Sequence, residues 1–290
     1  MAMLVFEVPA GAEGQRVDAF LKKNAPQLDD AALRSVFQHR DVKVNGIRVK
    51  PADRLLAHQS VQVYFMEYQE REPLDVVYED ADVLLINKRA GISVEEDDAG
   101  GVTVSQLAAR YIQKTSQSGQ LPIACHRLDN QTSGLLLFAK TEEAAGILTD
   151  VFKKRTLDKR YVCLVKGQPK PPEAVCRAFL TKDEKAARVF VSDKPRIGAV
   201  PITTEYQTIT PGPVSRLRIH LITGRTHQIR AHMAALGHPL LGDDVYGDRA
   251  LNRAHHCQGK LMLCATSLTL DTQGRLPHLD GRQFEISCPF

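Results

Sequence analysis

Residues 126–140 read HRLDNQTSGLLLFAK. A charged trio, His126, Arg127 and Asp129, stands against a turn, and the turn opens into the apolar run Leu135, Leu136, Leu137, Phe138. An apolar run of that length bounded by turn residues reads as a buried strand. The next segment, TEEAAGILTDVFKKR, reads as a helix. Thr141 is placed to cap it, Glu142 and Glu143 suit its positive end, Ala144, Ile147, Leu148, Val151 and Phe152 share one face, and Lys153, Lys154 and Arg155 suit its negative end. Asp129 therefore lies on a loop feeding a buried strand and then a helix. A carboxylate before Thr and Ser is commonly a turn residue that accepts backbone amides. The alternative is that a substrate needs it.

Working outward, the sequence predicts two domains. The chain has 290 residues, 43% hydrophobic and 25% charged, enough for one large core and a smaller one. Residues 16–24 (RVDAFLKKN) and 30–38 (DAALRSVFQ) are predicted as short amphipathic helices, with Val17, Phe20, Leu21 and then Leu33, Val36, Phe37 facing inward. DVKVNGIRVK follows, where Asn45-Gly46 between alternating residues predicts a tight hairpin. SVQVYF is a further strand. These elements make a small module over 1–68, with a polar linker at 69–74 and a larger domain over 75–290. The latter begins with two strands in DVVYEDADVLLINK and a helix in TVSQLAARYIQK.

No apolar run approaches the ~18 residues of a membrane span, and the first residues carry no leader pattern, so a cytoplasmic protein without a membrane partner is expected. Six cysteines are scattered without a CxxC pair, which fits reduced structural thiols. Net charge is +4, and its distribution is uneven: residues 1–70 hold nine Lys and Arg against nine Asp and Glu, the remainder 29 against 25. An anionic partner would be held mainly by the larger domain. His220, His227, His232 and His238 follow no common zinc spacing, so no metal site is expected and a metal-dependent hydrolase ranks last. His238, before Pro239, reads as a turn residue.

Three clusters remain for chemistry: Asp129, Tyr161 in DKRYVCLVKG, and the basic run LITGRTHQIRAHMAALGHPLLGD at 221–243. Singly, each has a plain reading as turn, strand core and solvated surface. Together, HRLDNQTSGLLLFAKT, KRYVCLVKG, LITGRTHQIRAHMAALGHPLLGDDVYG and the late strand LMLCATSLTL resemble the successive motifs of pseudouridine synthases of the ribosomal large-subunit type. The resemblance covers roughly residues 75–290. Residues 1–68 are similar, less specifically, to the small RNA-binding domain named after a protein of the small ribosomal subunit.

The resemblance implies an α+β fold with a mixed, mainly antiparallel sheet and flanking helices, acting without cofactor or metal as a monomer on structured RNA, most often large-subunit rRNA, with tRNA as the other substrate class. It implies that Asp129 is the essential carboxylate, acting on the sugar as nucleophile or base. Arg230 is implied as its cationic partner, and Tyr161 as the ring against the target uracil. Arg127 and Asn130 would occupy the place of the extruded base or hold the displaced strand. Arg225 and His227, with Lys153, Lys154, Arg155, Lys159 and Arg160, would face phosphates. A rival reading keeps the fold but makes the protein an RNA-binding ribosome-assembly factor.

The chain departs from the pattern at Arg89, where the family has proline. It departs again in the acidic run Glu95, Glu96, Asp97, Asp98, at Cys264 where a histidine is common, and at Asp29 and Asp30 of the small module.

Overall fold

The computed structural model describes residues 2–25, 28, 30–65, 74–96, 101–115, 121–183 and 188–290. The expected linker at 69–74 falls almost wholly outside these, as do Asp29, Asp97 and Asp98. Two compact units are present: Met1–Pro73 with Glu95–Thr103, and Leu74–Val94 with Val104–Phe290.

The smaller unit runs β1 (Ala2–Glu7), a 3-10 turn (Ala10–Ala12), α1 (Val17–Asn24), α2 (Asp30–Gln38), β2 (Val42–Val44), β3 (Ile47–Arg48) and β4 (Ser60–Phe65), with its four strands in the order β1-β4-β2-β3. Both helices and the hairpin stand where the sequence places them. Asn45 and Gly46 have φ of 49° and 80°, the two positive values that a tight primed turn demands. Val17, Phe20 and Leu21 pack with Val61 and Val63 of β4 in one core.

The larger unit is built on one sheet. Its elements are β5 (Val76–Glu79), β6 (Val83–Lys88), α3 (Val104–Thr115), β7 (Ile123–Ala124), β8 (Ser133–Ala139), α4 (Glu142–Lys154), β9 (Leu157–Lys166), β10 (Glu173–Asp183), β11 (Arg188–Ser192), β12 (Val200–Thr210), β13 (Val214–His220), α5 (Gln228–Ala235), α6 (Arg249–Ala254), β14 (Leu263–Leu270) and β15 (Gln283–Glu285). The strand order is β11-β10-β12-β13-β9-β14-β8-β6-β5, with β15 added to β14 and β7 to β8. β14 and β8 run parallel, while β9 pairs antiparallel with both β14 and β13.

Alternation along the strands divides the two faces. On one face Tyr161, Cys163, Val165, Leu217 and Ile219 join Ile229 and Met233 of α5 and Ala108 and Ile112 of α3. On the other, Leu135, Leu137, Leu268 and Leu270 pack under α4, through Ala144, Leu148 and Val151. Thr141 caps α4 by accepting the Ala144 amide at 3.1 Å, and Arg155 ends it in the left-handed region at φ 59°.

Gly134 decides where β8 can meet β14. Its φ is 112°, and a Cβ there would lie 2.2 Å from the Ala265 carbonyl oxygen. Only glycine permits that approach, and it fixes the end of β8 that carries the Asp129 loop.

Candidate active site

The loop 126–132 is held from several sides. His126 is half-buried, stacks on Phe152 with ring centroids 4.7 Å apart, and accepts the Leu137 amide at Nε2 over 3.1 Å. Burial, and then the charge of Lys159, push its pKa down to about 3, so the neutral ring serves as an acceptor. The Thr132 amide donates to the Asp129 carbonyl at 3.0 Å. The turn is thus braced by backbone at Thr132. Thr132 Oγ1 is buried without a hydrogen-bond partner among the described residues, and Ser133 Oγ reaches the Leu263 carbonyl only at 3.5 Å.

From below comes Lys88, at the end of β6 and 2% exposed. Its Nζ donates to the carbonyls of Arg89 and Asn130 at 2.8 and 2.9 Å. Burial lowers its pKa to about 8, against the attraction of Asp129. The loop is also tied by the Gly91 amide, which donates to the same Asn130 carbonyl at 2.9 Å, and by Asn130 Nδ2, which donates to Ser93 Oγ at 3.0 Å.

Asp129 faces the start of α5. Arg230 Nη1 donates to Asp129 Oδ2 at 3.2 Å, and His227 Nε2 lies 3.8 Å from that same oxygen. Behind Arg230 stands Asp243, whose side chain is fully buried. Nε donates to Asp243 Oδ2 at 2.7 Å and Nη2 to Oδ1 at 3.0 Å, a two-point grip that fixes the guanidinium plane. Asp243 Oδ1 also accepts the amides of Val245 and Tyr246. Burial opposes both charges. The Arg230 contacts nevertheless hold the Asp243 carboxyl below its ordinary range, and the two carboxylates hold Arg230 above its own.

Tyr246 closes the assembly. Its ring lies 5.5 Å from the Arg230 guanidinium carbon and 5.6 Å from that of Arg188, its hydroxyl accepts the Val189 amide at 2.9 Å, and it stands 3.1 Å from His227 Nδ1. His227 itself has φ 53°, an uncommon conformation for a residue with a side chain, at the N-cap of α5. Burial lowers its pKa, with Asp129 pulling the other way and Arg230 reinforcing the drop.

Under the segment 223–228, Gln228 accepts from Thr223 Oγ1 at 2.8 Å and the Arg225 amide at 3.2 Å, and donates to Thr203 and Thr204. His232 is buried against Thr204 Oγ1 at 3.0 Å, and burial lowers its pKa. His238 stands in a turn, with Nδ1 2.9 Å from the Lys166 carbonyl. The four histidines of this run do not converge. The cluster of potential metal-ligating groups among the described residues is elsewhere, at Asp80, Asp82 and His278, where His278 Nε2 lies 3.1 and 3.5 Å from the two carboxylates and Tyr78 donates to Asp80.

Tyr161 lies on β9, 6% exposed in the main core, and its pKa is raised by burial and then by the charge of Asp129. Asp129, Arg230 and His227 therefore meet, with Tyr161 within the field of Asp129. Arg127 and Arg225 are exposed, and Asn130 flanks Asp129 with its amide turned to Ser93. Lys159 borders the loop: its Nζ lies 5.7 Å from the Phe152 ring and 3.0 Å from where a Cβ on Gly224 would stand. Arg160 points to the other face and is gripped by Asp158. Cys264 is buried opposite Ser133 in the β14–β8 pair. Lys88, Asp243 and Tyr246 are the site neighbours that the sequence reading passed over, and the LGDDVYG stretch was the available signal for two of them.

Comparison with known proteins identifies the family. A family model described as RNA pseudouridylate synthase matches residues 82–235. An uncharacterised RNA pseudouridine synthase of Mycobacterium bovis is 32% identical over the whole chain and 95% of its own length. The ribosomal large subunit pseudouridine synthase C of Escherichia coli is 30% identical over 86% of this chain and 81% of its own. Human RNA pseudouridylate synthase domain containing 1 superposes with a TM-score of 0.61 at 26% identity, covering 78% of this chain and 86% of that one.

Proposed function

This chain belongs to the RNA pseudouridylate synthase family, whose reaction isomerises uridine to pseudouridine in RNA, and we propose that Asp129 is its catalytic carboxylate and large-subunit rRNA its substrate. The reaction breaks the bond from ribose to uracil nitrogen, turns the base, and joins the same sugar carbon to uracil carbon 5. Oxidation state does not change, so the chemistry requires no redox partner. On this reading Asp129 attacks the anomeric carbon or removes a proton from the sugar. Arg230 and His227 both approach Oδ2, and on this reading Oδ1 is the oxygen that meets the sugar.

The observation that carries the reading is the chain Asp129–Arg230–Asp243, a reactive carboxylate held by a guanidinium that a second, fully buried carboxylate fixes in place. Preorganisation of this kind removes reorientation from the barrier. Tyr161, with its phenol kept protonated by burial, would hold the uracil by its ring and donate from its hydroxyl. Arg127 and Asn130 would support the flipped nucleotide, and Arg225 with Lys159 would meet phosphates. The small unit, with its two helices, hairpin and closing strand, would be a second RNA contact of the kind its sequence resembles. The rRNA assignment rests on relatives named for the ribosomal large subunit. The enzyme works on this reading as a cytoplasmic monomer.

The test is Asp129→Asn. Pseudouridine formation on rRNA transcripts should vanish while RNA affinity stays within a few-fold. Undiminished turnover would refute the role of Asp129. Mapping pseudouridines in rRNA and tRNA of cells with and without the gene identifies the substrate, and loss confined to tRNA would overturn the rRNA assignment.

A further inference from the structure

The sheet of the larger unit has two faces, and only part of the second is covered. α4 and the residues around Leu276 and Phe284 pack over β6, β8 and one end of β14. Beyond them, across β9, β13 and the other end of β14, lies an open groove of about 640 Å³. An antiparallel sheet tolerates one solvated face, and polar residues alternating outward there are ordinary. Three features make this groove more than that.

First, its charge is one-sided. Arg160, Arg216 and Arg218 line it, with Glu285 the acidic side chain among the lining residues. Second, Arg216 and Arg218 are two apart on β13, so their side chains leave the same face from backbone positions about 6.6–6.8 Å apart along the strand, near the separation of successive phosphates on an extended nucleic-acid strand. Third, their engagement differs from that of their neighbours. His220, the next outward residue of β13, is taken up by Glu205 and Asp158, and Arg160 by Asp158. Arg218 has a neutral partner, Gln207 Oε1 at 3.0 Å. The Arg216 side chain is half-buried, its charge acts on the neighbouring Cys288 thiol, and it makes no side-chain hydrogen bond or carboxylate pair among the described residues. A guanidinium that no carboxylate takes up is open to a phosphate, which it can grip through two charge-assisted hydrogen bonds.

We infer that this groove is a second RNA-binding site, on the sheet face opposite Asp129, in which Arg216 and Arg218 each hold a phosphate of a single-stranded segment. The inference rests on RNA being the ligand of the enzyme. An extended strand fits better than a duplex because the two guanidiniums lie along one β-strand. A substrate engaged on both sheet faces would be held by an RNA larger than the modified loop, which gives a structured RNA an advantage over a short fragment.

The experiment uses the full chain and the variants Arg216→Ser/Arg218→Ser and Arg218→Glu, with a fluorescent oligouridylate and an in vitro large-subunit rRNA transcript as probes across a salt series. Each lost phosphate contact on a single strand lowers the slope of log affinity against log salt by about 0.7. The double variant should therefore lose about 1.4 in slope and roughly tenfold in affinity near physiological salt. Its turnover at saturating RNA should match that of the parent, and cross-links from 4-thiouridine RNA should map to residues 214–220 in the parent alone. Unchanged slope and affinity in both variants would overturn the inference. So would decaglutamate binding that depends on Arg216 and Arg218 while oligouridylate binding does not, because the groove would then be a protein-docking site. Because these readouts need no turnover, a parent protein that binds RNA but forms no pseudouridine would refute the catalytic reading and leave this one standing.

Discussion

Arg230 and Asp243 form a buried ion pair, and removing both members should cost less than the two single removals added together. In Asp243→Asn the side chain keeps its size and one oxygen, so the amides of Val245 and Tyr246, at 2.8 and 2.9 Å from Oδ1, retain an acceptor. What is lost is the negative charge facing Nε at 2.7 Å and Nη2 at 3.0 Å. The Arg230 side chain is 8% exposed, so water cannot replace the lost partner and the cost should be about 3–5 kcal/mol. Arg230→Met leaves Asp243 as the orphan and should cost a similar amount. In Arg230→Met/Asp243→Asn neither charge is stranded, and the double variant should be more stable than the sum of the singles by about 2–3 kcal/mol. Urea unfolding of the parent and three variants measures this coupling. Additive losses, within about 0.5 kcal/mol, would mean that the pair is not the unit described here. Catalysis supplies a second readout. Asp243→Asn retains Arg230 but frees its plane, and displacement of Nη1 by about 1 Å should lower kcat about 100-fold with KM for RNA little changed.

Two further outcomes concern the Asp129 loop. His126 is an acceptor with a pKa of about 3 against an ordinary 6.5, so the unfolded chain takes up the proton first as pH falls. The site's contribution is full above pH 6.5 and is lost progressively as pH drops from 6.5 towards 3, amounting to about 2 kcal/mol at about pH 5. His126→Gln can offer an amide oxygen to the Leu137 amide without titrating, so its urea midpoint should fall less than the parent's between about pH 7.5 and about pH 5, and parallel profiles would rule the linkage out. Gly134→Ala places a Cβ 2.2 Å from the Ala265 carbonyl oxygen at φ 112°. It should destabilise the larger unit by about 3 kcal/mol and reduce turnover by shifting the loop; a thermal midpoint within a degree or two of the parent would show that β8 and β14 can part without harm.

How far the sequence could be read depended on the distance over which each piece of information acts. The helices of the smaller unit, its Asn45-Gly46 turn, α4 with its Thr141 cap and the strand after Asp129 are all governed by residues within one or two turns of one another, and all were legible. β1 was not, although it is six residues of strand, because Met3 and Val5 on its outer face are apolar and exposed, which erases the alternation that marks a strand. α5 was read as a basic run. Its positions 228–233 are all buried, so it has no polar face to give a period. The site divides in the same way. Asp129 was singled out by its place before the apolar strand, but its pairing with Arg230 came through motif resemblance alone, since 101 positions separate them. Asp243 was missed, although it is only 13 from Arg230, because an acidic residue in a Gly-Asp-Asp turn looks solvated until the fold brings a guanidinium to it. Lys88 was missed for the converse reason: a lysine ending a strand is ordinarily exposed, and its burial makes sense once the Asn130 carbonyl on another strand's loop joins that of Arg89 in accepting from its ammonium. Residues proposed to react can therefore be named by their motif, whereas those that hold them in place become visible only when the sheet puts β6, β8 and the start of α5 side by side. The same rule applies to the outer groove, where Arg216 and Arg218 read as ordinary alternation on β13 until α4 is seen to stop short of them.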